Sequence, residues 1–213
     1  MQVVKTPYTF PIKGDISRED AVILAHAVCN KTVLEAGMGG STLIMSAFGG
    51  SGKLTSLEDK KEWYKRTSRN VRLYKSKDAL DITPKLILTQ DMKGWIEDQT
   101  SEFDVAFIDC NKDFRLEVSL AAWEKLVLGG KLIIHDGRAQ FGMDLTGSLC
   151  KELLRRKTLD SIVFCPDNSN CVIFTKRVQK ARRYNWNRTQ KENNRIDWRD
   201  ADEVGALVTP RKK

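Results

Sequence analysis

The sequence lacks any run of about eighteen apolar residues, the length that a membrane-spanning helix needs. It also lacks a positively charged start followed by an apolar core over residues 1–10, which is the pattern of a secretory signal. These two absences support neither a membrane partner nor export. We therefore expect a cytoplasmic protein.

Cysteines are few, and none of them forms a C-x-x-C pair. An odd and scattered set argues against a disulfide framework and against a zinc knuckle. We expect reduced thiols, most of them buried as small apolar side chains. The five are Cys29, Cys110, Cys150, Cys165 and Cys171.

Most of the chain also has little excess of one charge. The formal net charge is +8, of which residues 177–213 carry +6 and the preceding residues only +2. Because apolar periodicity is lost after residue 176, we divide the chain into an N-terminal arm (1–15), a folded domain (16–176) and a basic tail (177–213). The tail interleaves arginines with aromatic residues, a pattern typical either of a solvated, partly disordered segment or of a segment that binds RNA or DNA.

The folded domain alternates apolar runs with amphipathic stretches, which predicts an α/β protein. A capping box at Ser17 predicts the first helix. The last two apolar runs, 161–165 and 171–175, flank five turn-forming residues and predict a hairpin. The sequence thus predicts a Rossmann-like, doubly wound, mostly parallel seven-stranded sheet with a C-terminal antiparallel hairpin. The other five runs begin at Thr32, Leu54, Leu86, Phe103 and Lys131.

The segment from Thr32 to Glu58 has the organisation of half of a nucleotide-binding fold. Its first apolar run is followed by Gly37, Gly39 and Gly40 and then by a predicted helix. Its second apolar run ends at Glu58. Glycines let the backbone turn sharply and let a ligand approach, and the start of the helix offers unpaired N–H groups. An acid about twenty residues further on can accept hydrogen bonds from ribose hydroxyls.

Acids also end the other predicted strands. The carboxyl ends of parallel strands lie at one edge of the sheet, where such folds bind ligands, so we expect these side chains to lie near one another. For any one acid, helix capping explains the position equally well. Agreement among four strand ends favours a site composed of Glu35, Gly37, Gly39, Glu58, Asp91, Asp109, His135 and Asp136.

These motifs resemble those of the class I S-adenosylmethionine (SAM)-dependent methyltransferases over about residues 16–176. The resemblance rests on the segment 35–41, the acids Glu58 and Asp91, the run 103–109, the glycine pair before the fifth predicted strand and the final hairpin.

This resemblance implies a place for each part of SAM. Gly37 and Gly39 would pass close to the methionine part, and Glu58 would hold the ribose hydroxyls. Asp91 and Met92 would contact adenine. Glu35 would orient the glycine loop or the amino group of SAM. The implied cofactor-binding residues are Glu35, Gly37, Gly39, Ser41, Glu58, Asp91, Met92 and Asp109.

Two other nucleotide-binding classes fit less well. A dehydrogenase would share the glycine loop and the ribose acid, but Thr42 stands where its third glycine would allow close helix packing. A phosphate-binding loop ending at Gly52-Lys53 fails because Leu54 replaces the Ser or Thr that must follow.

The run from Phe103 to Asp136 resembles O-methyltransferases of the catechol and caffeoyl-coenzyme A type and the related cephalosporin hydroxylase-like group. This resemblance implies a divalent cation, Mg²⁺ by its preference for oxygen ligands, on Asp109 and Asp136. The chain departs from the catechol pattern at Gly137, which has no side-chain ligand. Without a metal, His135 is the candidate general base because its unperturbed pKa lies near neutrality. The predicted catalytic residues are therefore Asp109, His135 and Asp136.

The residues at the end of the fourth predicted strand bear on the methyl acceptor. Asp109-Cys110-Asn111 differs from the Asn/Asp-Pro-Pro-aromatic motif of base amino-methylases. Cys110 also lacks the proline that precedes the nucleophile in carbon-5 methylation, so we expect it to be buried. We therefore expect O-methylation of a small molecule. The alternatives are RNA or DNA methylation with the help of the tail, and SAM binding without methyl transfer.

Overall fold

A seven-stranded mixed sheet forms the centre of the protein. The computed structural model describes residues 16–138, 140–165 and 169–178. At residues 140 and 141 it describes only the backbone. The predicted arm (1–15) and residues 179–213 of the predicted tail lie outside the described residues. In chain order the elements are α1 (Arg18–Val28), β1 (Thr32–Ala36), α2 (Gly40–Phe48), β2 (Lys53–Glu58), α3 (Lys61–Lys75), β3 (Lys85–Leu88), α4 (Met92–Glu97), β4 (Phe103–Ile108), α5 (Arg115–Glu124), β5 (Leu126–Ile134), α6 (Gln140–Arg155), β6 (Leu159–Phe164) and β7 (Val172–Lys176).

The strand order in the sheet is β3-β2-β1-β4-β5-β7-β6. The strands β1 to β5 are parallel, whereas β7 runs antiparallel to both of its neighbours, β5 and β6. Parallel neighbours require crossover connections, and a helix follows each of the first five strands. The predicted Rossmann-like sheet with a C-terminal antiparallel hairpin is confirmed.

The central strands end level with one another. Ala36 of β1 is in register with Leu57 of β2 and with Ile108 of β4, and Ile108 is in register with Ile134 of β5. The residues that follow these four strands therefore meet at one edge of the sheet. This edge includes the point where the strand order reverses between β1 and β4, which is where open α/β sheets bind ligands.

Helices cover both faces of the sheet because alternate strand side chains point to opposite sides. On one face, α1 and α2 pack on a core that includes Val33 and Phe107, and α3 packs beside α2. On the other face, α4, α5 and α6 pack on a core that includes Leu34 and Ile108. Burial on both faces explains why these strands are almost continuously apolar in the sequence.

The first helix begins at the predicted capping box. The Ser17 hydroxyl accepts the N–H of Asp20 at 3.1 Å, and the Asp20 carboxylate accepts the N–H of Ser17 at 3.0 Å. These bonds satisfy two backbone donors that the first turn leaves unpaired.

One predicted boundary needs correction. β5 begins at Leu126, so Gly129 and Gly130 lie inside the strand and not in a loop before it. The pairing of β5 with β4 shifts register in this stretch, and Gly129 has a φ of +81°, a conformation that favours glycine. The glycine pair therefore permits a local irregularity of the strand.

All five cysteines are free, and Cys29 is the exposed one among them. This confirms the expectation of mostly buried thiols. In the described ranges, the structure has no helix that is both long enough and apolar enough to cross a membrane.

Candidate functional site

A cleft of about 280 Å³ opens at the carboxyl edge of the central strands. The glycine loop after β1 forms one side of it, and the ends of β2, β4 and β5 form the rest. The structure brings six of the predicted site residues to its lining, namely Gly37, Gly39, Ser41, Glu58, Asp109 and Asp136. Glu35, Asp91, Met92 and His135 are not among the lining residues.

The two predicted loop glycines have different physical roles. Gly37 has a φ of +97°, and a Cβ added to it would overlap the carbonyl oxygen of Asp109. It is a glycine because the loop passes directly against the end of β4. Gly39 has an extended backbone with a φ of −178°, and a Cβ added to it would meet nothing within 4 Å. Gly39 is thus the position where the loop faces open space in the cleft.

Glu35 lies buried beneath the loop and fastens the start of α2. It accepts hydrogen bonds from the hydroxyls of Ser41 at 2.5 Å and Thr42 at 2.7 Å. Burial raises the pKa of Glu35 to about 7, and the hydroxyl bonds only partly offset that rise. Of the two predicted roles of Glu35, these contacts fit the orientation of the glycine loop.

Glu58 joins the end of β2 to the same loop. Its Oε2 accepts the N–H of Met38 at 2.8 Å, and its Oε1 accepts the N–H groups of Asp59 and Lys60 at 3.1 and 2.9 Å. Burial raises the pKa of this carboxyl group. A carboxylate has about four acceptor positions, so Glu58, which lines the cleft, retains capacity for a ribose hydroxyl.

The two residues predicted to contact adenine lie away from the cleft lining. β3 ends at Leu88, before Asp91, and the Asp91 carboxylate accepts the N–H of Gly94 at 2.8 Å as the N-cap of α4. Met92 is buried in the core under α4. Their contact with adenine stays a prediction.

His135 is fully buried among three carboxylates. Its Nδ1 lies 3.2 Å from Asp109 Oδ1 and 3.6 Å from Asp136 Oδ1, and its Nε2 lies 3.4 Å from Asp20 Oδ2. Neither ring nitrogen has a partner in good hydrogen-bond geometry within the described ranges, so these contacts are ion pairs. Burial by itself lowers the pKa of His135, but the carboxylates outweigh burial and raise the pKa to about 10.

This environment does not favour the predicted general-base role of His135, which stays a prediction. The side chain is fully buried and is not part of the cleft lining, and its raised pKa favours the protonated imidazole, which cannot take a proton from an acceptor. A protonated His135 would place positive charge behind Asp109 and Asp136.

Asp20 belongs to this cluster although only its capping role was predicted. Its Oδ1 accepts the Ser169 hydroxyl at 2.6 Å and the N–H of Asn170 at 3.2 Å, so it also holds the turn between β6 and β7. Burial favours a raised pKa for Asp20, but its contacts with His135, Ser169 and Ser17 outweigh burial and hold the pKa below its usual range. No local pattern reveals this role, because its partners come from distant parts of the chain.

Arg115 is a second residue that the sequence reasoning missed. This guanidinium at the start of α5 is 6% exposed. Its Nε and Nη1 donate to the carbonyls of Cys110 and His135 at 2.8 and 2.9 Å, and its side chain lies 3.4 Å from Asp109 Oδ1 and 3.9 Å from Asp136 Oδ2. One signal was available, since Arg115 occupies the buried face of α5 with Val118 and Ala122.

The predicted magnesium site can be tested against these contacts. Ligand atoms of Asp109, His135 and Asp136 lie within 4.8 Å of one another, a spacing that one metal ion could bridge. Arg115, however, already contacts both carboxylates, and Gly137 adds no ligand. Arg115 and His135 thus occupy part of the acceptor capacity of both carboxylates, an arrangement that fits a metal-free ion-pair cluster better than a hard divalent cation that needs free anionic oxygens.

Cys110 is buried, as predicted. Burial raises the pKa of its thiol to about 12, so the nucleophilic thiolate that carbon-5 methylation requires is strongly disfavoured.

No protein-family model matches the chain, and no curated protein matches its sequence. Solved structures do match its fold. An O-methyltransferase from Bacillus cereus in complex with S-adenosylhomocysteine (SAH) is 17% identical, with a TM-score of 0.61 over 78% of this chain and 84% of that one. The SAH-bound methyltransferase PaMTH1 from Podospora anserina is 17% identical, with a TM-score of 0.59 over 75% of this chain and 78% of that one.

The O-methyltransferase TomG of tomaymycin synthesis from Streptomyces achromogenes, in complex with SAM, is 13% identical, with a TM-score of 0.57 over 75% of this chain and 78% of that one. The chain therefore has the fold of the class I SAM-dependent methyltransferases, as its motifs implied. Within that fold, these structural neighbours are SAM- or SAH-bound methyltransferases, two of them named as O-methyltransferases.

Proposed function

We propose that this protein is a SAM-dependent methyltransferase that methylates an oxygen atom of a small molecule. The observation that carries the proposal is the cleft at the reversal of strand order, in which a glycine loop is fastened by Glu35 and Glu58. Proteins of the same fold are solved with SAM or SAH bound and are named as O-methyltransferases. Both features favour this ligand over the dehydrogenase cofactors.

Bound SAM would supply an electrophilic methyl group on its sulfonium, which an acceptor oxygen would attack in line while the carbon–sulfur bonding pair goes to sulfur. The protein has to align the acceptor, exclude water and take the hydroxyl proton. Gly39 and Glu58 would position the donor, and the ends of β4 and β5 would position the acceptor.

Asp136 is the group that we assign as proton acceptor. Its carboxylate lines the cleft with 24% of the side chain exposed. Its backbone has a φ of +56°, a left-handed conformation that is uncommon outside glycine and that clusters at functional sites. Arg115 lies 3.9 Å from Asp136 Oδ2 and His135 Nδ1 lies 3.6 Å from Asp136 Oδ1, and these contacts would hold the carboxylate in place without a metal.

SAM binding is the first test, with calorimetry on the full chain. At Gly39 an added Cβ meets nothing within 4 Å, so Gly39→Leu places a side chain in the cleft and we expect at least a tenfold loss of affinity. Gly147→Leu on α6 is the matched control, because an added Cβ there also meets nothing within 4 Å, and it should leave affinity unchanged. Absence of SAM binding in the unmodified protein would overturn the proposal.

Methyl transfer is the second test, measured as SAH release with a panel of hydroxylated small molecules. Asp136→Asn should lower kcat by about 100-fold or more, as expected for loss of a general base, with SAM affinity retained. SAM binding without SAH release from any acceptor would favour a binding protein that does not transfer methyl groups.

Metal dependence is the third test. Turnover should be unchanged by a chelator, because Arg115 and His135 already contact both acids and would hold them in place without a metal. Loss of turnover that Mg²⁺ restores would reinstate the magnesium site and contradict the metal-free assignment.

A further inference from the structure

The outer surface of α3 concentrates the positive charge of the folded domain. Between residues 60 and 77 there are eight Lys and Arg against a single acid, Glu62, whereas the rest of residues 1–176 has a net charge of −5. The helix itself carries six of these cations, all exposed: Lys61, Lys65, Arg66, Arg69, Arg72 and Lys75.

These cations are not neutralised within the described ranges. The ion pairs found there link other residues, and none joins a cation of α3 to an acid. The start of the helix is also electrostatically unfavourable, since the N-cap is Lys60, without a side-chain capping bond, and Lys61 follows it. Positive charge at that end opposes the helix dipole, and the single acid of the first turn, Glu62, offsets this effect only in part.

A pocket of about 230 Å³ lies between α3 and the start of α2. The α3 side chains that line it include Trp63, Arg66, Asn70 and Tyr74, and the Arg66 guanidinium lies 5.0 Å from the centroid of the Trp63 ring. Aromatic rings, a guanidinium and an amide are the groups that stack on and hydrogen-bond to an unpaired base. Trp63 also lines the cofactor cleft, so the pocket and the cleft are neighbours.

We propose that α3 and this pocket bind single-stranded nucleic acid beside the cofactor cleft. A helix of 15 residues is about 22 Å long, so its six cations form a basic surface long enough to contact several phosphates of one strand. The pocket favours a single strand over a duplex, because a duplex keeps its bases stacked and paired. The surface lies within the folded domain and is distinct from the basic tail. Binding here does not depend on the methyl-transfer proposal.

The charge test uses fluorescence anisotropy of a labelled single-stranded RNA with the full chain. In the triple variant Lys65→Gln, Arg69→Gln, Arg72→Gln, we expect an affinity loss of at least about 30-fold near 0.1 M salt and a fall of about 2 in the slope of log K against log salt, as for three lost phosphate contacts. The control removes the same charge elsewhere through Lys31→Gln, Lys131→Gln and Lys151→Gln, which should change affinity less than about threefold because these exposed lysines lie far from α3 in the sequence.

The pocket test uses Tyr74→Leu and Tyr74→Phe. Loss of the ring should weaken RNA binding about fivefold or more, the phenylalanine variant should restore it, and the affinity for SAM should stay unchanged in both. Saturating SAM should not displace the RNA; displacement would assign the pocket to the adenine of the cofactor and overturn the proposal.

Three further outcomes would also overturn it. One is the absence of RNA binding by the unmodified protein at about 50 mM salt, where phosphate contacts are strong. The second is equal affinity of the triple variant and the unmodified protein. The third is charge-dependent binding to phosphatidylserine vesicles without RNA binding, which would assign the surface to a membrane.

Discussion

The imidazole of His135 forms a buried ion pair with the carboxylate of Asp20, with Nε2 and Oδ2 3.4 Å apart and both side chains fully buried. Asp20 lies in the first turn of α1, and His135 directly follows β5. The pair therefore fastens α1 to the edge of the sheet that carries the cleft. Through the other ring nitrogen, His135 also contacts Asp109 at 3.2 Å.

Removing the charge of Asp20 should both destabilise the protein and lower the pKa of His135. For Asp20→Asn we expect a loss of about 3–5 kcal/mol in the free energy of unfolding, because the change leaves a buried cation without one of its partners. Urea unfolding and NMR titration of the imidazole would measure the two effects. Asp160→Asn, on an exposed residue, should change stability by less than about 0.5 kcal/mol. Equal stability of both variants would contradict the prediction.

The pH dependence of stability should report the same cluster. The pKa of His135 is raised from 6.5 to about 10 on folding, so its stabilising effect is complete below pH 6.5 and is lost as the pH rises through 10. We expect the free energy of unfolding to fall across this window, and to fall less steeply in Asp20→Asn. Identical slopes in the two proteins would show that another group titrates there.

Glu35 should act in a lower pH window. Burial raises the pKa of its carboxyl group from 4.5 to about 7, so the protonated form is favoured on folding and stability is lost as the pH rises from 4.5 to 7. The expected loss is about 3 kcal/mol. Glu35→Gln should abolish this pH-dependent loss of stability. The control Glu97→Gln removes an exposed acid that pairs with Lys93 on α4 and should leave the loss unchanged. If Glu35→Gln had the same dependence of stability on pH as the unmodified protein, the raised pKa of Glu35 would be contradicted.

Gly37 and Gly39 should respond differently to alanine. Gly37→Ala places a Cβ against the backbone of Asp109 at a φ of +97°, so we expect a loss of about 2–4 kcal/mol in stability. Gly39→Ala should change stability by less than about 0.5 kcal/mol, because a side chain there meets open space. Chemical denaturation with unchanged m-values would measure both. A larger loss of stability in Gly39→Ala than in Gly37→Ala would refute the assigned roles.

Arg115 should contribute far more to stability than an exposed arginine in an ion pair. Arg115→Met leaves two acids and two carbonyls without their donor, and we expect a loss of about 3–5 kcal/mol. Arg155→Met removes an exposed pair with Glu152 and should change stability little, because solvent screens such pairs. Arg115→Lys should fall between the two, since it keeps the charge but not the forked geometry. Similar losses for the two methionine variants would contradict the buried role of Arg115.

The order of strands and helices could be predicted because its signals are local. Apolar runs such as 103–109, the capping box at Ser17 and the turn residues before β7 depend on neighbours a few positions away. The glycine loop and the acids at the strand ends follow from the same patterns once a parallel sheet is assumed. Six predicted site residues consequently line the cleft.

The charge state of the site could not be predicted in this way. His135 was expected to titrate near neutrality, but three carboxylates raise its pKa, one from α1 and two from the residues that follow β4 and β5. Arg115 was missed because its partners are backbone carbonyls and acids that only the crossover brings together. Asp91 could be placed after its strand, but patterns in the sequence left open whether it caps a helix or lines the site, and the structure shows that it caps α4.

By itself, the sequence determined the fold and the position of the glycine loop, because backbone turns, caps and strand periodicity depend on adjacent residues. Only the tertiary structure decided which charges face each other: the two acids of the cleft are contacted by Arg115 and His135, whereas the cations of α3 face solvent. Electrostatic energies depend on distance and burial, and sequence spacing gives neither.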